Sequence, residues 1–347
     1  MANYTGVNKS TTYFNTKLYT GNGNANHGIT GVGFQPDWVW IKNRTSTYWN
    51  QKYDVIRGVN KSIASNSNNA QENRTDNLNS FDTDGFTVGA EGGDKNVNYS
   101  GDNYVAWNWK AGGSGSSNSN GSVTSTVSAN TTAGFSICKF SFPGSGNFTV
   151  GHGLGVAPDV VLMKGLGTAN WQMYHSALGN TKNIQLNYSA ASSSAANWWN
   201  STSPTSTVFS VGSDLIESGQ DAIAYCFAAK QGYSRFGKWI GNGNADGTFI
   251  YTGFAPKWLL LKKDGGDGWW LIDDKMANVL PNPNTRMLVA NTNGADNSSV
   301  SPFIDIYSNG FKLRSNWSGI NADGSDYIYL AIGQTIVGTN NVAAVAR

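Results

Sequence analysis

The decapeptide GFQPDWVWIK at 33–42 recurs as GVAPDVVLMK at 155–164 and GFAPKWLLLK at 253–262. In each copy a glycine (Gly33, Gly155, Gly253) stands three places before a proline (Pro36, Pro158, Pro256), and an apolar run ends on a lysine (Lys42, Lys164, Lys262). Seven residues past each lysine, without a gap, comes a tryptophan: Trp49, Trp171 and Trp269. Three matches in one register read as a tandem array of one β-rich module.

Strand side chains alternate between faces. Trp38, Trp40 and Lys42 therefore share one face of the first copy, with Val39 and Ile41 on the other. In the third copy Trp258 and Leu260 oppose Leu259 and Leu261. Apolar residues on both faces predict a strand covered on both sides, by a sandwich core on one and by another module or another chain on the other. The glycine and proline set a turn. The lysines read as strand ends with no chemistry of their own.

Composition agrees with many short strands. Charged residues are 13% of the chain, against roughly 25% in a typical soluble protein, while aromatics reach 12% and glycine 42 of 347 residues. The expected fold is all-β: three tandem β-sandwich, jelly-roll-like modules of roughly 100 residues each. Asn66, Asn187 and Asn291 recur after short apolar-containing runs, and each module closes on an aromatic-rich strand: NYVAWNWK (103–110), DAIAYCFAAK (221–230) and DYIYLAIGQ (326–334). The predicted division is an N-terminal arm at 1–14, modules at 15–112, 134–232 and 233–347 (the last with a C-terminal tail), and a Gly/Ser/Asn-rich linker at 113–133. The linker should be flexible unless neighbours hold it, so that the first module is hinged from the other two.

A formal net charge of +2 gives no field to attract nucleic acid or an anionic membrane. No apolar run approaches the roughly 20 residues of a membrane helix, and the N-terminus lacks the pattern of a secretory signal. Cys138 and Cys226 read as small buried hydrophobes, with a disulfide between neighbouring strands as the alternative.

GSVTSTVSANTTAGFSI (121–137), VGHGLGVAPDVVLMK (150–164), WWNSTSPTSTVFSVG (198–212) and GYSRFGKWIGNGNADGTFIYTGFAPKWLLLKK (232–263) resemble a tandem-repeat family of virion proteins of marine bacteriophages, tail-fibre or minor structural proteins. VAWNWKAGG (105–113) is similar to that family's module junction and DYIYLAIGQ to its terminal strand. The resemblance implies a virion component assembled in the host cytoplasm, with other virion proteins as partners and no cofactor. By analogy with phage fibres it implies a homo-oligomer, a trimer. The expected role is host attachment through surface glycan or protein; a capsid decoration or head-fibre protein is the alternative, and a polysaccharide depolymerase the minor one.

The residues predict no enzyme. His27, His152 and His175 lack partners at metal-ligand spacing, and His152 reads as a turn residue. Glu72, Glu91 and Glu217 sit at unrelated positions, whereas glycosidases need paired carboxylates about 5–10 Å apart. Asp264, Asp267, Asp273 and Asp274 form the densest acidic cluster, read as a solvated loop with a sugar or Ca²⁺ contact as the alternative. Aromatics are the remaining candidates. The repeated Trp49, Trp171 and Trp269 read as packing; Tyr48, Trp198, Trp199, Trp270 and Trp317, which lack counterparts, are the candidate ligand contacts.

Overall fold

The computed structural model describes residues 6–90, 92–194, 196–215, 220–276, 282–296 and 303–334. The chain is all-β with antiparallel sheets, and each third contributes one large and one small sheet. The large sheets share a strand order. In the first, Phe14–Thr20, Asn103–Trp109, Trp38–Asn43, Gln51–Asp54 and Lys61–Ala64 lie side by side. In the second the sequence is Phe135–Ser141, Asp221–Phe227, Val160–Gly165, Trp171–His175 and Lys182–Gln185. In the third it is Ser234–Ile240, Asp326–Gln334, Ala255–Lys263, Trp269–Asp273 and Leu288–Val289. The motif strand thus sits between the closing strand and the strand after it, at the centre of its sheet. A central strand has both faces available for burial, which is why its residues are apolar on both.

The two faces go to different cores. Val39 and Ile41, Val161 and Met163, and Leu259 and Leu261 each pack into a separate cluster between the large and small sheet of their own third. Trp38, Trp40, Val160, Leu162, Trp258 and Leu260 all enter one central cluster shared by the three thirds. There Trp38 stacks on Tyr225 at 4.3 Å between ring centroids, and Trp109 meets Trp258 edge-on at 5.4 Å. The second apolar face is therefore covered from within the same chain.

A central cluster built from all three thirds leaves no hinge. The segment expected as a linker carries two strands, Ser116–Asn118 and Ser125–Asn130, which extend the edge of the second large sheet. Bonds to its neighbours fix it: Gly113 donates its backbone N–H to Asp37 Oδ2, and Ser128 Oγ accepts the backbone N–H of Gly112, just before the segment. Within the expected N-terminal arm, Val7 and Phe14 are buried in the central cluster, so part of the arm is core. The expected C-terminal tail, from residue 335 on, lies outside the described residues.

Candidate binding site

The repeat residues assemble a ring of contacts between thirds, and one of them departs from the gap-free alignment. Lys164 pairs in register with Trp171 and Lys262 with Trp269. In the first third Ile41 pairs with Gln51, which sets Asn50, and not Trp49, opposite Lys42. One extra loop residue shifts the register there. Because strand side chains alternate, Trp49 leaves the core and lies half-buried with Lys95 Nζ 4.4 Å from its ring centre, while Trp171 and Trp269 are fully buried. The landmark asparagines confirm the equivalence, since Asn66, Asn187 and Asn291 accept the backbone N–H of Asn50, Trp171 and Trp269.

From these positions each third reaches the next. Trp171 Nε1 donates to Ala64 O, Trp269 Nε1 to Gln185 O, and Asn50 Nδ2 to Val289 O, three carbonyls each two residues before a landmark asparagine. The lysines repeat the pattern. Lys42 Nζ donates to Asn293 O and Tyr48 O, Lys164 Nζ to Asn68 O and Gly167 O, and Lys262 Nζ to Ser189 O and Asp267 O. All three ammonium groups are buried, and a buried cation is tolerated where hydrogen bonds replace its water. Burial lowers Lys42 to about 7 and Lys262 to about 8. Far from being inert strand ends, these lysines clasp one third to the next.

The candidate ligand contacts scatter. Trp199 is core in the second third. Trp270 is buried in the third, with Trp317 against it at 4.6 Å. Tyr48 is half-buried 6.0 Å from Tyr99. Trp198 is half-buried on the wall of a cleft between the first and second thirds. The four aspartates are no cluster: Asp273 is buried and accepts Trp107 Nε1, Asp264 pairs with Lys182, Asp274 with Lys257, and Asp267 caps Gly268. His152 is buried in its turn, its ring bonding Thr205 O and the Leu154 N–H. Glu72 pairs with Lys95; Glu91 and Glu217 lie outside the described residues. The two cysteines are buried and free, on paired strands. Among the described residues no three His, Cys, Asp or Glu side chains gather as a metal site would require, and no helix is long and apolar enough to cross a membrane.

The aromatics that do reach solvent together stand on the small sheet of the last third. Its strands Phe249–Tyr251, Gly310–Leu313 and Ile304–Tyr307 put Ile250 and Phe311 inward. Alternation turns Phe249, Tyr251 and Tyr307 outward, at 43%, 50% and 40% exposure. Phe249 and Tyr307 meet edge-on at 5.8 Å. Gly310 is the floor between them: a Cβ there would come within 2.8 Å of the Phe249 ring and 2.2 Å of Ile250 O.

Polar groups rim this platform. Arg235 lies 5.6 Å over Tyr251, Lys312 pairs with Asp246 at 2.6 Å, and Arg314 Nε with Asp305 at 3.2 Å. The Lys312 ammonium holds the Asp246 carboxyl below its ordinary range. Inward Ile29 pairs with Phe86 and Val150 with Phe209, as Ile250 does with Phe311. The outward neighbours in those thirds are Gly28 and Thr30, and Thr149 and Gly151, so the platform has no counterpart. The sequence carried a signal for it in TFIYT at 248–252, where aromatics flank the inward Ile250 and the equivalent runs have glycine and threonine.

Rings of this kind can stack on the C–H face of a sugar, since the aromatic face carries partial negative charge, while the rim bonds hydroxyls. No curated protein and no solved structure matches the chain. A family model described as Domain of unknown function (DUF7483) matches residues 9–335, and the chain belongs to that family.

Proposed function

We propose that the chain is a structural component of a bacteriophage virion, a tail-fibre or similar appendage protein that holds host-surface glycan or protein and catalyses nothing. In this reading it consists of three tandem β-sandwich modules of jelly-roll kind. The observation that carries the binding role is the Phe249–Tyr251–Tyr307 platform, three solvent-facing rings on one rigid sheet. Exposed apolar patches with polar rims mark interaction sites. Adhesion would come from many weak contacts, one platform per copy, multiplied by the copies in the particle. The inner apolar faces are consumed in the central cluster, so a homo-oligomer, including the expected trimer, would form through outer faces.

The second reading, a capsid decoration protein, is favoured by the closed ring of contacts, which gives one chain an internal threefold suited to a threefold position on a shell. Antibody labelling of purified particles under the electron microscope separates the two: label on tails supports the appendage, and label on heads overturns it. On a glycan array, binding by the native chain should be lost in Tyr251→Ala and Phe249→Ala; retained binding would remove the platform from the proposal. New reducing ends released from host polysaccharide at a catalytic rate would overturn the non-enzymatic reading.

A further inference from the structure

Gln51, Gln172 and Trp270 occupy one repeat position, the strand residue just past the ring contact. Each pairs across to the next strand, with Ala64, Gln185 and Val289 respectively. The space beside this pair differs in the three thirds. In the last, Trp270 fills it and Trp317 covers it. In the first, Ser62 bonds Gln51, and Trp49 and Lys95 close over the pair, leaving about 10 Å³. In the second, about 250 Å³ stays open.

We infer that this second-third cleft is a binding site for one neutral pyranose sugar, distinct from the aromatic platform. Its size lies just below the roughly 300–1,000 Å³ of drug-sized pockets, room for one ring and not for a chain. Phe142, Met163, Leu215 and Trp198 give it apolar surface, with Met163 beside Gln172 on one sheet face. Thr168, Asn170, Gln172 and Gln185 add amide and hydroxyl groups, and no charged side chain among the described residues lines the cleft.

Gln172 is 8% exposed, and its Oε1 accepts from Asn183 Nδ2 at 2.7 Å and Gln185 Nε2 at 3.4 Å. Its own amide N–H groups then have no protein partner among the described residues and are available to a ligand oxygen. That nitrogen reaches the cleft, where a hydroxyl of a bound sugar can accept its N–H. A pyranose has an apolar C–H face and a rim of hydroxyls, and the cleft offers both apolar side chains and neutral hydrogen-bonding groups. No cation stands among the described lining residues to pair with a phosphorylated or acidic ligand.

The test titrates the full chain with D-glucose, D-galactose, D-mannose and N-acetylglucosamine, and with adenine as a planar non-sugar probe. Binding is followed by tryptophan fluorescence and by ligand-observed NMR. At least one hexose should saturate with a Kd of about 1–10 mM, a free energy ordinary for so small a ligand. The double variant Gln172→Trp with Gln185→Val installs the residues of the last third and should weaken that binding at least tenfold. Trp198→Ala, where the side chain is only half-buried, should do the same and serves if the filled variant does not fold. Tyr251→Ala removes only what the platform contributes and should leave in place the saturation that the two cleft variants weaken. Saturation by no hexose, saturation by adenine alone, or binding lost in Tyr251→Ala but kept in the two cleft variants would each overturn the inference. The last outcome would leave the platform proposal standing.

Discussion

Trp269 in the last third donates its indole N–H to the backbone carbonyl of Gln185 in the second, at 2.9 Å. Trp171 makes the same contact from the second third to Ala64 in the first, and Asn50 closes the circle onto Val289. A chain of modules joined end to end has free ends; this one has none. Hydrogen bonds that cross between thirds, and a core shared by all, make each third depend on both others.

Unfolding is therefore expected to be a single cooperative transition. Independent domains melt separately, and a calorimetric enthalpy exceeding the van't Hoff enthalpy reveals them. Here the two should agree, and tryptophan emission and far-UV dichroism should change together. Three resolved transitions would show that the central cluster does not couple the thirds.

The tryptophan series tests the shifted register. Trp171→Ala and Trp269→Ala each empty a fully buried site and should cost about 3–5 kcal/mol. Trp49→Ala, at the same spacing in the sequence, removes a half-buried ring with one cation over it. It should cost about 1 kcal/mol or less, since an exposed cation–π contact is worth about 0.5–1 kcal/mol. Urea denaturation of the three variants gives the comparison; equal losses would put Trp49 back among the core residues.

Alternation in the motif strands announced which residues share a face, and the structure keeps those sets intact: Trp38 with Trp40, Val39 with Ile41. Period-two patterning survives because it reflects burial directly. What covers the second face was not legible, because an apolar face is the same whether another module or another chain lies on it. The Trp49 alignment failed because a single loop insertion leaves the motif readable while reversing the faces beyond it. Trp199 and Trp270, two of the ligand candidates, are buried for a related reason. Absence of a counterpart at Trp199 and Trp270 marks how each third fills its own core, and only the outward alternation at Phe249 and Tyr251 distinguishes a surface ring from a filler.

Lys52 gives a stabilising prediction. Its ammonium lies in the central cluster 3.7 Å from the Trp40 ring centre and 5.1 Å from that of Trp171, with no hydrogen-bond partner among the described residues. Burial, with Arg57 nearby, lowers its pKa well below the ordinary lysine value. Lys52 faces Trp40 across the sheet as Met173 faces Leu162 and Leu271 faces Leu260, so the other thirds show an apolar solution. Lys52→Met should raise stability by about 1–4 kcal/mol, the range seen when buried charges give way to apolar groups. A lower denaturation midpoint would show that the cation–π contacts outweigh desolvation.

Two further buried groups in the ring between thirds titrate against each other. His175 donates through Nε2 to Tyr329 O and accepts the Ala177 N–H at Nδ1, a neutral ring held on both sides. Burial lowers it from 6.5 to about 4. The unfolded chain thus takes up a proton that the folded chain refuses, and this contribution, complete above pH 6.5, is lost as pH falls toward 4. Asp273, at the equivalent place in the last third, is raised by burial from 3.8 to about 6. The folded chain keeps a proton the unfolded chain releases, so its contribution is present below 3.8 and lost as pH rises through 6. Between pH 4 and 6 the slopes oppose and largely cancel. His175→Gln removes one of them. Relative to the native chain the variant should gain about 3 kcal/mol between pH 6.5 and 4, at 1.36 kcal/mol per pKa unit, whatever its stability at neutral pH. Urea midpoints at pH 4, 5, 6 and 7 measure the difference; parallel profiles for native and variant would mean that His175 does not carry the acid sensitivity assigned to it.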